Sequence, residues 1–339
     1  MEWHEVKREQ PLLDDSGKIA EPGWARHPVW SYEREQIGAS AYRIKERDHY
    51  VVTAGEYGAA FTLSDYGYVG IQSVSFFHIG GNWEHTETVV TPLPMGKMKM
   101  PSSSAAGDSV FRDSRFRLEF CLDAGTRVIS CDFKDFCDGK PFYCEITLEE
   151  PEMDSIAAAI PGEGKYGFCY DRKICCMRAE GYLSFGGTTY WFDSKRDCGM
   201  LDWKRGVFPY ESEWRWGAGS AVVGGRPFGF TVSEGSKEEN PGIENMIFYE
   251  GKGHKIGAVN VHIPEDGSRK AWSLSSGDGR FEMEFQPGTE QKSTLSAAVI
   301  STEMHRVIGR MKGRAVLDDG RFIELKDFVC FMEKVCNRG

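Results

Sequence analysis

Phe116-Arg117-Leu118-Glu119-Phe120-Cys121-Leu122, followed by Asp123-Ala124-Gly125, decides the fold. Phe116, Leu118, Phe120 and Leu122 take every second position and Arg117, Glu119 and Cys121 fill the gaps, the period of a strand with one buried face. Asp123-Ala124-Gly125 then offers a turn. A second run repeats the pattern: Phe142, Cys144, Ile146 and Leu148 alternate with Tyr143, Glu145, Thr147 and Glu149. Further along, Phe281, Met283 and Phe285 oppose Glu282 and Glu284, and Val259, Val261 and Ile263 form another alternating stretch. Turn residues punctuate the chain at Asp65 to Gly67, Gly251 to Gly253, Gly277 to Gly279 and Asp318-Asp319-Gly320. Helical spacing occurs at Met304, Val307, Ile308 and Met311, but Gly309, Gly313 and the hairpin just after favour a strand there too. Short strands joined by tight turns, without alternating helices, predict an all-β chain of antiparallel barrels or barrel-like sandwiches.

A chain of 339 residues suits two modest domains. The stretch Pro151 to Gly167 brings two prolines, three glycines and three consecutive alanines between strand-rich regions, so the boundary is expected near Gly162, giving domains 1–162 and 163–339. The net charge of -10, without a long basic run, gives no electrostatic footprint for nucleic acid. The first residues, MEWHEVKREQPLLDDSG, are polar, and no later stretch approaches membrane-spanning length. A soluble cytoplasmic protein with no stable membrane insertion is expected; charge and aromatic content carry no reading of oligomeric state.

The ten cysteines form no pair of CxxC motifs and read as small buried hydrophobes. His78 and His85, with Trp83 and Glu84 between them, match no tight metal motif. No GxGxxG before a helix, P-loop or GxSxG elbow occurs, so neither metal nor nucleotide cofactor is expected.

The candidate site is Cys198 to Gly219, CGMLDWKRGVFPYESEWRWGAG, where tryptophans and charges crowd together. If residues 201 to 205 are extended, Asp202 and Lys204 face one way, and Trp203 and Arg205 the other. Asp202 is either a general acid with a raised pKa in an apolar cavity, or a structural partner of Arg205 or a turn. Trp214 and Trp216 share one parity and form either a pocket wall or plain core. Glu244 and Asn245 stand at a loop-to-strand junction: Glu244 could be a second carboxylate beside Asp202, or Asn245 could cap the loop with Glu244 solvated. The dense run Arg43 to Tyr50, with His49, reads as an internal salt-bridge network or as a contribution to the site from the other domain.

Leu13-Asp14-Asp15, Gly23-Trp24-Ala25-Arg26-His27-Pro28, Arg43-Ile44-Lys45-Glu46, Leu201-Asp202-Trp203-Lys204-Arg205-Gly206-Val207 and Glu244-Asn245-Met246-Ile247-Phe248-Tyr249 occur in that order. Together they resemble the bacterial family known as domain of unknown function 2804. That family is distantly similar to tandem lipocalin-like (calycin) proteins that include carotenoid hydratases and tocopherol cyclase. The resemblance implies two lipocalin-like barrels side by side, with an apolar ligand inside one barrel or between them.

The leading expectation is cofactor-free acid and base chemistry, namely hydration, isomerisation or cyclisation of an apolar small molecule. Asp202 would donate the proton, Arg205 would tune it, and Tyr210 or Glu244 would relay or accept. Trp203, Trp214 and Trp216, with Asn245, would bind the ligand and stabilise developing positive charge. The alternatives are a carrier or sensor of lipid-like molecules, and a carbohydrate-active protein using its tryptophans and carboxylates.

Overall fold

The computed structural model describes residues 3–234, 242–264, 270–297 and 300–338. The chain is all-β: beside a small parallel pair, Gln10–Pro11 with Trp30–Ser31, two large curled antiparallel sheets follow one another, and the helical turns among the described residues are the short Arg34–Gln36 and Ala41–Arg43. The opening stretch forms the strand Phe116–Asp123, hairpinned to Thr126–Cys137. Ala124 and Gly125 both have positive φ, 47° and 84°, as a tight turn matching the strand twist requires. The ambiguous Met304–Met311 segment lies within the strand Ile300–Val316.

The first sheet runs through Trp83–Pro92, Val69–His78, Tyr57–Asp65, Lys45–Thr53, Cys198–Val207, Phe168–Phe185, Lys140–Glu149, Thr126–Cys137, Phe116–Asp123 and Ser109–Arg112. Its central strands therefore come from both ends of its sequence. The switch between sheets falls between Val207 and Glu211, whereas Gly162, the expected boundary, lies in the turn joining Ile156–Pro161 to Phe168–Phe185 inside the first sheet. The second sheet runs through Lys252–Lys255, Met246–Tyr249, Arg226–Glu234, Glu211–Val223, Phe322–Arg338, Ile300–Val316, Phe281–Ala297, Trp272–Ser276 and Val259–His262.

Each sheet curls around its own apolar core. Phe61, Phe76, Phe133, Phe142 and Phe168 fill the first, and Phe228, Phe230, Phe281, Phe285 and Phe328 the second. The sheets meet through two further apolar clusters. Val51, Phe77, Met200, Trp216, Ile308 and Phe331 form one, and Trp24, Ile156, Cys175, Cys176, Ile243 and Phe248 the other.

A bulge in Phe168–Phe185, between Ile174 and Met177, swings Cys175 and Cys176 towards the second sheet. Cys176 takes φ 63°, a costly conformation for a non-glycine residue, and its N–H donates to Ser220 Oγ at 2.9 Å. Gly229 makes this approach possible, because a Cβ there would lie 2.7 Å from Cys176 Sγ and 2.9 Å from Cys175 Cβ. We predict that Gly229→Ala lowers unfolding stability by about 1–3 kcal/mol through overpacking, read in urea as an earlier midpoint with an unchanged slope.

Candidate functional site

Between the two sheets lies a cavity of about 630 Å³. Phe168, Val207, Phe208, Trp214 and Trp216 give it apolar walls, while Asp171, Lys173, Asp202, Lys204 and Glu244 give it a charged floor. Strand parity builds that floor. On Cys198–Val207 the even positions Asp202 and Lys204 leave the first barrel, while Trp203 and Arg205 enter it. On the neighbouring strand, Asp171 pairs in register with Lys204 and Lys173 with Asp202. Arg47 and His49 extend the two rows across Lys45–Thr53. An alternating charged face of this kind would ordinarily be wet; here the second sheet covers it.

The ion pairs are tight. Arg47 Nη2 donates to Asp202 Oδ2, and Lys173 Nζ lies 3.9 Å from Asp202 Oδ1. Lys173 also donates to Glu244 Oε1 at 2.7 Å and stands 3.6 Å from Asp171 Oδ2. Burial pushes the Asp202 carboxyl up, but Arg47, Lys173 and Lys204 outweigh it and hold the group well below the usual carboxylate range. The raised pKa expected of Asp202 is therefore corrected: it is a buried carboxylate locked to Arg47.

The carboxyl whose pKa is pushed up is Asp171. Burial and then the adjacent Glu244 push it up to about 8, with Lys173 and Lys204 opposing. Asp171 and Glu244 share a side-chain hydrogen bond. Such a bond between two carboxyl groups holds one proton, so the pair titrates as a unit. Burial also raises Glu244, but Lys173 and the bond from Asp171 prevail and keep it below its ordinary value.

A second polar chain crosses the junction. Trp216 Nε1 donates to Glu333 Oε1 at 2.8 Å, and Arg306 Nε donates to Glu333 Oε2 at 2.8 Å. Arg306 Nη2 meets His49 Nε2 at 2.7 Å, which makes that nitrogen the acceptor and leaves Nδ1 to donate to Thr62 Oγ1 at 2.8 Å. Burial, then Arg306 and Arg47, push His49 well below its ordinary value. The dense run around His49 thus forms the expected network, and it brings Arg47 to Asp202 from the neighbouring strand of the same sheet, not from another domain.

Of the expected site residues, Asp202, Glu244, Trp214 and Trp216 line the cavity together. Trp203 does not: it packs in the first core, edge to face with Tyr170 at 5.3 Å. Arg205 lies over the Trp203 ring and donates to Asp48 Oδ1 at 2.9 Å, on the opposite face from Asp202. Tyr210 is 48% exposed and stands outside the cavity. Asn245 ties two backbone segments together and does not line the cavity: its Oδ1 accepts from Ser233 N at 2.6 Å and its Nδ2 donates to Gly257 O at 3.0 Å. It thereby pins the turn that aims Glu244 inward.

Sequence reading passed over Asp171 and Lys173 as site residues. Their signal was weak because Tyr170 and Arg172 alternate with Cys169, Asp171 and Lys173, so polar groups occupy both parities.

Among the described residues no helix is long and apolar enough to cross a membrane. A comparison with curated proteins found no match. Among solved structures, a protein provisionally named AttH from Nitrosomonas europaea is similar with a TM-score of 0.55 at 12% identity, covering 92% of this chain and 98% of that one. CghA, solved with Sch210972, is similar with a TM-score of 0.56 at 12% identity, covering 98% of this chain and 97% of that one. At this identity the likeness is one of fold, the tandem lipocalin-like arrangement over nearly the whole chain. The family described as Domain of unknown function (DUF2804) matches residues 3–338, and the chain belongs to it.

Proposed function

We propose that this protein is a cofactor-free acid and base enzyme of the hydratase, isomerase or cyclase type, acting on a largely apolar small molecule held between its sheets. One observation carries the reading: two buried carboxyl groups, Asp171 and Glu244, meet the same Lys173 at the floor of a half-apolar cavity. A carboxylic acid kept neutral near pH 7 beside an ionised one supplies a donor and an acceptor in one place. Asp171 gives its proton to a double bond or oxygen. In a hydration, water adds to the opposite end, and the proton it releases returns to the carboxyl pair. In an isomerisation, the pair instead recovers a proton from a neighbouring carbon.

The tryptophans take a different part from the expected one. Lys204 Nζ lies 5.5 Å from the Trp214 ring centre and Lys173 Nζ 5.6 Å from that of Trp216, so resident cations already use both indoles. They shape the wall and anchor the lysines. The hydrogen-bonded carboxyl pair is also closer than the roughly 5–9.5 Å that glycosidic hydrolysis uses, which disfavours the carbohydrate reading for these two groups.

The test begins with the molecule that co-purifies from a lipid extract, identified by mass spectrometry and then incubated with protein in D₂O. Deuterium bound to carbon is the expected result; a ligand recovered unchanged and unlabelled favours the carrier reading. Turnover should hold through neutral pH and fall as pH rises through about 8. The sign follows from the raised pKa, since the donor keeps its proton up to that value and loses it above. A rate that instead climbs across that range would remove Asp171 as donor.

A further inference from the structure

Phe208-Pro209-Tyr210 links the two sheets, joining Cys198–Val207 to Glu211–Val223. Its sequence makes it stiff. Proline fixes its own φ, and the clash of its ring with the preceding residue confines that residue to extended backbone. Phe208 is therefore held where the chain leaves the first sheet, and Arg43 Nη2 donates to its carbonyl oxygen at 3.4 Å. Gly206 makes room for the side chain. A Cβ there would lie 2.5 Å from Phe208 Cε1, so the ring rests against bare backbone.

That ring stands between two spaces of very different size. Lys204, Phe208 and Trp214 line the main cavity of about 630 Å³, and among the described residues the same three also line a cleft whose other walls include Lys45, Tyr66 and Tyr68. The cleft is left with about 10 Å³, room for a single water at most. Of the three shared residues, Lys204 and Trp214 are fixed on each other, with Nζ 5.5 Å from the ring centre and Asp171 Oδ2 3.4 Å from the same ammonium. Phe208 supplies the apolar part of the partition. It is what an apolar ligand lying along Phe168 and Val207 meets where the cavity adjoins the cleft.

We propose that Phe208 is a specificity-determining residue: it is the fixed end wall of the cavity and sets the length of apolar ligand that the protein accepts. The stiffness of the link makes it a stop and not a gate. The proposal rests on the reading above that an apolar molecule occupies this cavity, and on nothing about turnover. Each methylene that finds apolar cover strengthens binding about fourfold, so affinity climbs with chain length until the chain reaches the ring and then levels off. Removing the ring vacates space beside Gly206 and Trp214 into which a longer chain extends.

Straight-chain primary alcohols from hexanol to tetradecanol are titrated into the full chain and into Phe208→Ala and Phe208→Leu, with affinity read from the displacement of Nile red. Circular dichroism and a thermal melt accompany each variant. In the unaltered protein the gain per methylene should stop at a definite length. In Phe208→Ala it should continue for about two further carbons, and Phe208→Leu should stop between the two, while the shortest alcohols bind all three proteins within a few-fold of one another. The comparison is made within each protein, so a uniform loss of affinity does not imitate it. A break at the same length in all three proteins overturns the proposal and leaves the apolar-ligand reading standing, as does a gain that runs unbroken to tetradecanol in the unaltered protein. If no alcohol binds any of them, the apolar-ligand reading falls and the proposal with it. Should Phe208→Ala not fold, the position of the break in Phe208→Leu decides.

Discussion

Asp171→Asn is expected to leave a folded protein whose turnover has dropped by about 10²- to 10⁴-fold, the usual contribution of a positioned general acid. The amide has nearly the same shape and can still donate a hydrogen bond to Glu244, so the carboxyl pair's geometry survives while its transferable proton does not. Ligand affinity should stay within a few-fold, because Asp171 is one of several groups at the floor rather than the apolar wall. The measurement is deuterium incorporation from D₂O into the co-purifying molecule, with affinity read separately by titration. Asp202→Asn provides the contrast. Since Arg47 holds Asp202 ionised, this variant loses an ion pair and an acceptor, and its main signature is lower stability and weaker binding. If Asp202→Asn alone removed turnover and Asp171→Asn did not, the assignment of the donor would be reversed.

The second large effect concerns Lys173, buried and touching Asp171, Asp202 and Glu244. Lys173→Met should cost about 3–5 kcal/mol of unfolding free energy, because it leaves buried carboxylates without their counter-charge. Combining it with Glu244→Gln should recover part of that loss, and both are measured by urea unfolding. The pH dependence has a definite sign. In the unaltered protein Glu244 and Asp202 are held below their ordinary values, so their stabilisation is present above about pH 5 and fades as pH falls through the ordinary carboxylate range and below. In Lys173→Met Glu244 loses the cation that outweighs its burial and prefers to be protonated, while Arg47 still holds Asp202, so acid relieves the variant through Glu244. The gap between the two proteins should therefore be widest near neutrality and narrow below about pH 4. A gap independent of pH would mean that Lys173 acts through packing alone.

Much of the architecture was legible because strands with one apolar face write a period of two. Phe116–Leu122 and Phe142–Leu148 read as strands and are strands. The same period placed Asp202 and Lys204 on one face and Trp203 and Arg205 on the other, as the structure does. What periodicity does not record is what lies beyond a polar face. Asp202 and Lys204 look like solvated positions until the second sheet is laid over them, and that contact joins residues far apart in sequence. Arg205, adjacent in the chain, was an attractive partner for Asp202; Arg47, on the next strand of the sheet, is the real one. The bulge at Cys175–Cys176 was equally hidden, because an extra residue shifts the pattern without changing its composition. The likeness in motifs fared best at the level it addressed, the tandem arrangement, and was silent on which carboxyl holds a proton.

Because the first sheet joins Lys45–Thr53 to Cys198–Val207, its closure waits on synthesis. Arg47 and Asp202 are 155 residues apart in the chain, and at about 5–20 residues per second a ribosome takes roughly 8–30 s to bridge that gap. Throughout this interval the hairpins of residues 45–92 present an unpaired edge strand to the crowded cell, and that edge is where chaperones or unwanted strand addition would act first. The pairing that later secures the cavity floor thus also ends the nascent chain's longest period of vulnerability.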